Sequence, residues 1–182
     1  MGEHASGLQN FKRINKYQAG IEKPLVTAKG FFIAIKFLDS SMQILGRSDR
    51  VDFPKLGLKD IHAKIDTGAY TCSLHCSRAE VVDGKLEFVL LDEEHPEFTG
   101  MKFTFKKFTK REIKNSFGEA EMRYIIKTTI KIFDRRIRAE FSLSDREKLR
   151  FPVLLGRRIL RNRFLIDVTK KDLYFQSKLA NP

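Results

Sequence analysis

The residues best able to do chemistry stand at positions 63–69, where a short apolar strand ends in Asp66, Thr67 and Gly68. A carboxylate at a strand end is held rigidly, with the backbone N–H groups of the following turn beside it. Gly68 permits a positive φ and the close approach of a second backbone, because it has no Cβ. An ordinary polar turn has the same composition, so the rest of the chain decides whether Asp66 is catalytic.

A second apolar strand that ends in glycine lies near the C-terminus. Val153 to Gly156 repeats the pattern of Ala63 to Gly68, and Arg157 and a predicted short helix, Arg158 to Asn162, follow it. A carboxylate that works in a dry, crowded centre needs two such strand ends crossing beside it. The second unit therefore favours a catalytic role for Asp66 over a simple turn.

The sequence around these two units predicts an all-β domain. From Phe31 onward, short apolar runs are separated by turn residues, and Asp83-Gly84 is a strong hairpin signal. Sixteen Phe and no Trp indicate a core of Phe, Ile and Leu. We predict a mobile N-terminal extension at 1–30, a β domain at 31–174 and a C-terminal tail at 175–182.

The net charge of this 182-residue chain is +12, which favours an acidic partner: nucleic acid, an anionic membrane surface or a Glu-rich protein. No zinc-finger, helix-turn-helix or aromatic RNA-binding signature accompanies the charge, so nucleic acid is the less favoured partner. The longest apolar run, Phe31 to Leu38, contains Lys36 and is far shorter than the roughly 20 residues of a membrane-spanning helix. With neither a membrane segment nor a secretory signal pattern, we expect a cytoplasmic protein.

Cys72, His75 and Cys76 raise the question of a metal site. A structural zinc site has about four ligands, and no second Cys or His pair occurs at ligand spacing. Two cysteines are also too few for a disulfide framework. We predict buried thiols, no metal and no cofactor.

In their order along the chain, the motifs resemble those of the retropepsin-like aspartic proteases. Asp66-Thr67-Gly68-Ala69, followed by Leu154 to Arg157 and a short helix, is the signature of that family, in which one chain forms half of a closed barrel. From about Ile44 to Val168 the chain is similar to a bacterial family historically labelled ATP-dependent zinc protease. The residues that carry this similarity are Ala63 to Ala69, Thr71, Leu74, His75, Asn115, Ser116, Gly118, Arg123, Leu143, Asp145, Arg146, Phe151, Pro152, Leu154 to Arg157 and Asp167.

The resemblance implies a closed β-barrel of the acid-protease type with one short C-terminal helix. It makes Asp66 the catalytic aspartate, with Thr67 buttressing the turn and Gly68 admitting the substrate backbone. Gly156 and Arg157 would support the active-site floor or the dimer. Tyr70 departs from the pattern, because these proteases have Asp or Arg there, so no ion pair between residue 70 and Arg157 is expected.

Substrate binding is assigned to Ala69 and to a lid over the cleft. We predict the lid at Thr109 to Glu121, with Phe117 and Gly118 at its tip, and hold Asp92 to Gly100 as a second candidate. An ordinary surface loop remains open as an alternative for both segments.

Peptide hydrolysis by aspartates needs two carboxylates that share one proton, one as base on a water and the other as acid on the carbonyl oxygen. The chain offers one Asp-Thr-Gly, so we expect a homodimer with one Asp66 from each subunit at a two-fold axis. The sequence thus predicts an aspartic endopeptidase acting on a peptide or protein. The family's association with ligases that add glutamate, together with the basic charge, indicates a Glu-rich substrate.

Two other function classes stay open on the sequence. One is a zinc-dependent hydrolase, as the historical family label implies, although no His-Glu-x-x-His motif is present. The other is a non-catalytic binding module for an acidic protein or RNA, whose binding would survive loss of Asp66.

Overall fold

The computed structural model describes residues 42–114, 120–145 and 150–180. Packing divides the chain after Gln43, and the compact unit that begins at Ile44 carries the candidate site. The extension predicted at 1–30 lies outside the described residues, so that boundary stays a prediction.

Strands account for most of the described chain, which confirms the predicted all-β fold. In the described ranges, neither helix has the length and apolar character needed to cross a membrane. The strands are β1 (Gln43–Gly46), β2 (Ser48–Phe53), β3 (Leu58–Asp66), β4 (Cys72–Val82), β5 (Lys85–Leu90), β6 (Lys102–Phe105), β7 (Phe108–Lys114), β8 (Ala120–Ile132), β9 (Arg135–Ser144), β10 (Val153–Gly156) and β11 (Phe164–Asp167), and the helices are α1 (Arg157–Leu160) and α2 (Leu173–Ala180).

Six strands close into a barrel in the order β10, β3, β2, β8, β9 and β4. β10 completes the ring, because it pairs in parallel with β3 and antiparallel with β4. β5 and β6 extend the sheet beyond β4, and β7 pairs with β8 as a hairpin. β1 and β11 form a separate two-stranded sheet.

Phe, Ile and Leu fill the core, as the composition predicts. Alternate residues of β2 and of the second half of β8 are buried, which is the period of strands with one face on a core. Phe53 and Phe141 meet edge to face with ring centroids 5.3 Å apart. The predicted hairpin at Asp83-Gly84 is confirmed: both residues have a positive φ, 49° and 71°, in the turn between β4 and β5.

The C-terminal residues form helix α2 rather than the predicted tail. Asp49, a β2 residue with no exposed surface, accepts hydrogen bonds from the backbone N–H groups of Tyr174 (2.8 Å) and Phe175 (3.1 Å). These N–H groups lie in the first turn of α2, where backbone N–H groups have no partners within the helix itself. Lys178 adds an ion pair with Asp52 at 3.0 Å. The helix thus depends on contacts with β2 that its local sequence does not reveal.

Glu140 of β9 ties together three elements on the outside of the barrel. Its carboxylate, with 12% of the side chain exposed, accepts hydrogen bonds from Arg158 (2.6 Å) and Arg111 (3.1 Å), and it lies 3.3 Å from Lys127 Nζ. Burial raises the pKa of Glu140, but the hydrogen bonds from these three cations outweigh burial and lower the pKa from 4.5 to about 2. Because the pKa is lower in the folded state, the cluster stabilises the fold fully above pH 4.5 and loses its effect as the pH falls toward 2.

We expect Glu140→Gln to lower the free energy of unfolding at pH 7 by about 1–2 kcal/mol, since a neutral amide cannot hold three cations. The difference from wild type should shrink as the pH falls from 4.5 toward 2. Urea unfolding at a series of pH values measures both effects. Glu93→Gln, the same change at an exposed loop residue, should match wild type throughout. An unchanged stability of Glu140→Gln at pH 7 would contradict the role given to this cluster.

Candidate active site

Asp66 ends β3 with its carboxylate oriented by the turn that follows. Its Oδ1 accepts hydrogen bonds from the backbone N–H groups of Gly68 (2.9 Å) and Ala69 (3.1 Å). Its Oδ2 lies 3.6 Å from Lys64 Nζ, and 23% of the Asp66 side chain is exposed. Two backbone donors on one oxygen fix the rotamer, while the second oxygen lies beside the exposed ammonium of Lys64. The carboxylate is therefore rigid and accessible at once.

Space rather than φ favours glycine at position 68. Gly68 does not use the positive φ that glycine permits, because its backbone lies outside the left-handed region. A Cβ at this position would stand 3.2 Å from Asp66 Oδ1, which is tighter than ordinary van der Waals contact. Any side chain would therefore press on the carboxylate that the Gly68 N–H group orients.

Arg157, the first residue of α1, holds the turn from its other side. Its Nη1 donates hydrogen bonds to the carbonyl oxygens of Thr67 (3.0 Å) and Gly68 (2.7 Å). Its backbone N–H donates to the carbonyl oxygen of Ala69 at 2.9 Å. One residue thus satisfies three successive carbonyls of the turn, and we call this set of contacts the Arg157 latch. The latch gives a physical basis for the supporting role that the resemblance implies.

Gly156 brings the second strand end against the Asp66 turn. In the parallel pairing of β3 with β10, Gly156 stands beside Asp66, which confirms the predicted crossing of the two strand ends. A Cβ on Gly156 would lie 2.3 Å from the carbonyl oxygen of Thr71, a distance that no side chain tolerates. The N–H group of Gly156 donates to Cys72 Sγ at 3.4 Å. Glycine is thus the only residue that lets the two backbones meet here.

An open groove of about 510 Å³ runs beside the turn. Its lining includes Thr67, Tyr70 and Arg157, together with the apolar residues Phe164 and Ile166 that follow α1. Tyr70 is 62% exposed. As expected from the departure at position 70, the guanidinium of Arg157 binds backbone carbonyls and not this side chain.

The cysteines and His75 occupy structural positions. Burial raises the pKa of both Cys72 and Cys76 to about 11, so both thiols stay protonated at neutral pH. His75 is buried, and its Nε2 lies 2.8 Å from Asp92 Oδ2. Within the ranges that the structure describes, no three His, Cys, Asp or Glu side chains are grouped so as to hold a metal ion.

The structure brings most of the predicted site residues together and adds two more. Asp66 to Ala69 meet Gly156 and Arg157 at the crossing of the strands. Phe117 and Gly118 lie outside the described residues, so their assignment to substrate binding stays a prediction. Sequence reasoning missed Lys64, although strand alternation places it on the same face as Asp66. It also missed Cys72 as the acceptor for Gly156, for which the sequence carries no signal.

Comparison with known proteins settles the family of this site. Residues 44–177 match the family described as RimB-like, retropepsin-like aspartic endopeptidase RimB. The chain belongs to the RimB-like family. This membership confirms the resemblance drawn from the ordered motifs and agrees with the closed barrel around Asp66.

Sequences similar to this RimB-like chain occur within larger proteins. It is 33% identical over 133 residues to a probable alpha-L-glutamate ligase of Desulfotalea psychrophila and 32% identical over 128 residues to one of Shewanella pealeana. These matches cover 71% and 68% of the chain, but only 29% and 28% of the ligases. The chain therefore spans less than a third of the curated relatives that it matches.

A solved structure shares the fold of this RimB-like chain. The crystal structure of a protein of unknown function from Legionella pneumophila matches it with a TM-score of 0.58 and 21% sequence identity. The match covers 72% of this chain and 98% of the Legionella chain. At this identity the likeness concerns the fold alone.

Loss of the Arg157 latch should make the Asp66 turn more mobile. We expect Arg157→Ala to speed amide hydrogen exchange at residues 67–70 and to lower the free energy of unfolding by about 1–2 kcal/mol, because two charge-assisted hydrogen bonds are lost. Hydrogen-exchange mass spectrometry and urea unfolding measure the two effects. Arg161→Ala removes an exposed guanidinium from the same segment and should change neither. Equal exchange in the two variants would show that the latch does not hold the turn.

Proposed function

We propose that the chain is an aspartic endopeptidase that acts as a homodimer. The observation that carries the proposal is the Asp66 carboxylate, oriented by two backbone N–H groups at a strand crossing that the Arg157 latch supports. Thr67 and Gly68 are exposed, so the turn is accessible to a second copy and to a peptide. Membership of a retropepsin-like family agrees with this use of the site.

The reaction needs the carboxylates of two Asp66 residues, one from each subunit, with one proton between them. The ionised carboxylate takes a proton from water as the water oxygen bonds to the peptide carbonyl carbon, and the protonated carboxyl gives its proton to the carbonyl oxygen. The tetrahedral intermediate then collapses: one of its hydroxyl groups returns a proton to the carboxylate that had given one, the C–N bond breaks, and the leaving amine takes the proton that the other carboxyl accepted from water. The two carboxyls share the proton, so the acid and base roles are not tied to one subunit.

The substrate that we propose is a peptide or protein segment rich in glutamate. Four cationic residues surround the Asp66 turn or line the groove beside it: Lys64, Arg157, Arg158 and Arg161. The chain as a whole carries a net charge of +12. The relatives whose names contain glutamate ligase include a region similar to this chain, which links a protein of this kind to glutamate chemistry.

Asp66→Asn should abolish peptide cleavage and leave self-association unchanged, because an amide cannot take a proton from water. A peptide-library cleavage assay and sedimentation velocity measure the two properties. Asp83→Asn, the same change in the exposed β4–β5 turn, should keep full activity. Retained cleavage by Asp66→Asn would contradict the proposal, and wild-type protein that binds peptides without cleaving them would favour a binding module.

Mixing subunits tests the shared site directly. Excess Asp66→Asn protein added to wild type should suppress wild-type activity, since a mixed dimer holds a single carboxylate. Added Asp83→Asn protein should not suppress activity. A rate that stays constant as Asp66→Asn is added would mean that each chain works alone.

A Glu-rich peptide should be cleaved faster than the same peptide with Gln in place of Glu. The preference should decline between about 0.1 and 1 M salt, because the Debye length falls from about 10 Å to about 3 Å. Initial rates for the two peptides at several salt concentrations provide the measurement. Equal rates at low salt would argue against an acidic substrate and leave the peptidase activity itself untouched.

A further inference from the structure

The first half of β9 has an unpaired edge. On one side, β8 pairs with β9 residues 135–142, from Ile132 beside Arg135 to Ile125 beside Ser142. On the other side, β4 pairs only with the C-terminal end of β9, at residues 141–144. In this parallel register β4 begins at Cys72, beside Phe141, so it does not extend alongside β9 residues 135–140. In the part of the chain that the structure describes, no strand pairs with β9 residues 135–140 on that side.

An open groove of about 440 Å³ follows this edge, and we call it the β9 groove. Its lining includes four consecutive residues of β9, 137–140, together with Arg158, Ile159 and Arg163. The volume falls within the range of roughly 300–1,000 Å³ that ligand sites occupy. Strand alternation directs the backbone N–H and C=O groups of every second edge residue toward the open side.

The charge of the β9 groove is strongly positive. Lys127, Arg138, Arg158 and Arg163 line it against a single carboxylate, Glu140. Arg138 is exposed and makes no ion pair with any described residue. Arg163 donates to the carbonyl oxygen of Ile159 at 3.2 Å and not to a carboxylate. Two guanidinium groups are therefore available to an anionic ligand without displacing an existing ion pair.

We propose that the β9 groove binds an extended acidic peptide segment by strand addition to β9. The backbone of the segment pairs with the free N–H and C=O groups of residues 137–140, as a new strand does at a sheet edge. Its carboxylates contact Arg138 and Arg163, while the side chains between them lie against the apolar lining at Ile137 and Ala139. The two available guanidinium groups identify an acidic ligand, and the unpaired edge identifies a peptide rather than RNA.

The proposal is independent of catalysis at Asp66. The β9 groove contains no residue of the 66–70 turn, although Arg158 lines both this groove and the groove beside the turn. The Asp66→Asn protein is therefore a suitable host for binding experiments, since it cannot consume the probe. If the Asp66→Asn protein does not bind the peptide, the peptidase proposal is unaffected. If the wild-type protein cleaves no peptide, the proposal for the β9 groove is unaffected.

The probe is a fluorescein-labelled peptide of about eight residues that alternates Glu and Val, measured by fluorescence polarisation at low salt. We expect it to bind, and its counterpart with Gln in place of Glu to bind at least about fivefold more weakly. Two further probes carry N-methyl groups on the Glu or on the Val nitrogens. Because one strand edge uses only alternate N–H groups, one N-methylated probe should bind and the other should not.

Variants and hydrogen exchange locate the site. Arg138→Gln should weaken binding by about fivefold, the size expected for a partly exposed ion pair. Arg136→Gln, on the same strand but outside the groove, should bind as the parent does. The peptide should also slow amide exchange at residues 137–140.

Three results would overturn the proposal. The first is no binding of the Glu-Val probe at low salt. The second is equal binding of the two N-methylated probes, which would exclude strand pairing as the mode of binding. The third is displacement of the probe by a single-stranded RNA that itself protects residues 137–140, which would make the groove a nucleic-acid site.

Discussion

The close approach of Gly156 to the backbone of Thr71 is the constraint on which the rest of the structure depends. A single added carbon would stand 2.3 Å from a carbonyl oxygen, so the approach is possible only with glycine. The approach seats β10 beside the end of β3, and α1 begins at the next residue. Arg157 is thereby aimed at the carbonyls behind Asp66. Barrel closure and orientation of the carboxylate are thus consequences of one contact.

Acidic and basic residues have different tasks in this molecule. Several carboxylates are held in internal contacts: Asp49 binds the first turn of α2, Asp52 binds Lys178, and Glu140 gathers three cations. Cationic side chains instead line both grooves next to α1. The surface that a ligand meets there is therefore more positive than the composition alone implies.

The parts of the structure that follow from local pattern could be predicted from the sequence. Apolar strands that end in glycine, and the Asp83-Gly84 turn, depend on neighbouring residues, and both appear where expected. Helix α2 could not be predicted, because its N-terminal N–H groups are satisfied by Asp49, 125 residues away in the chain. The φ of Gly68 and the open edge of β9 also depend on packing and on strand register, which one sequence does not display.

Both parallel pairings in the barrel join distant parts of the chain: β3 meets β10, and the start of β4 meets the end of β9. Contacts of such long sequence separation form late in folding, because a large loop must close before they contribute any stability. The Asp66 turn gains its support only when residues 153–157 arrive. A nascent chain that has not yet emerged that far from the ribosome therefore carries the aspartate without an organised site.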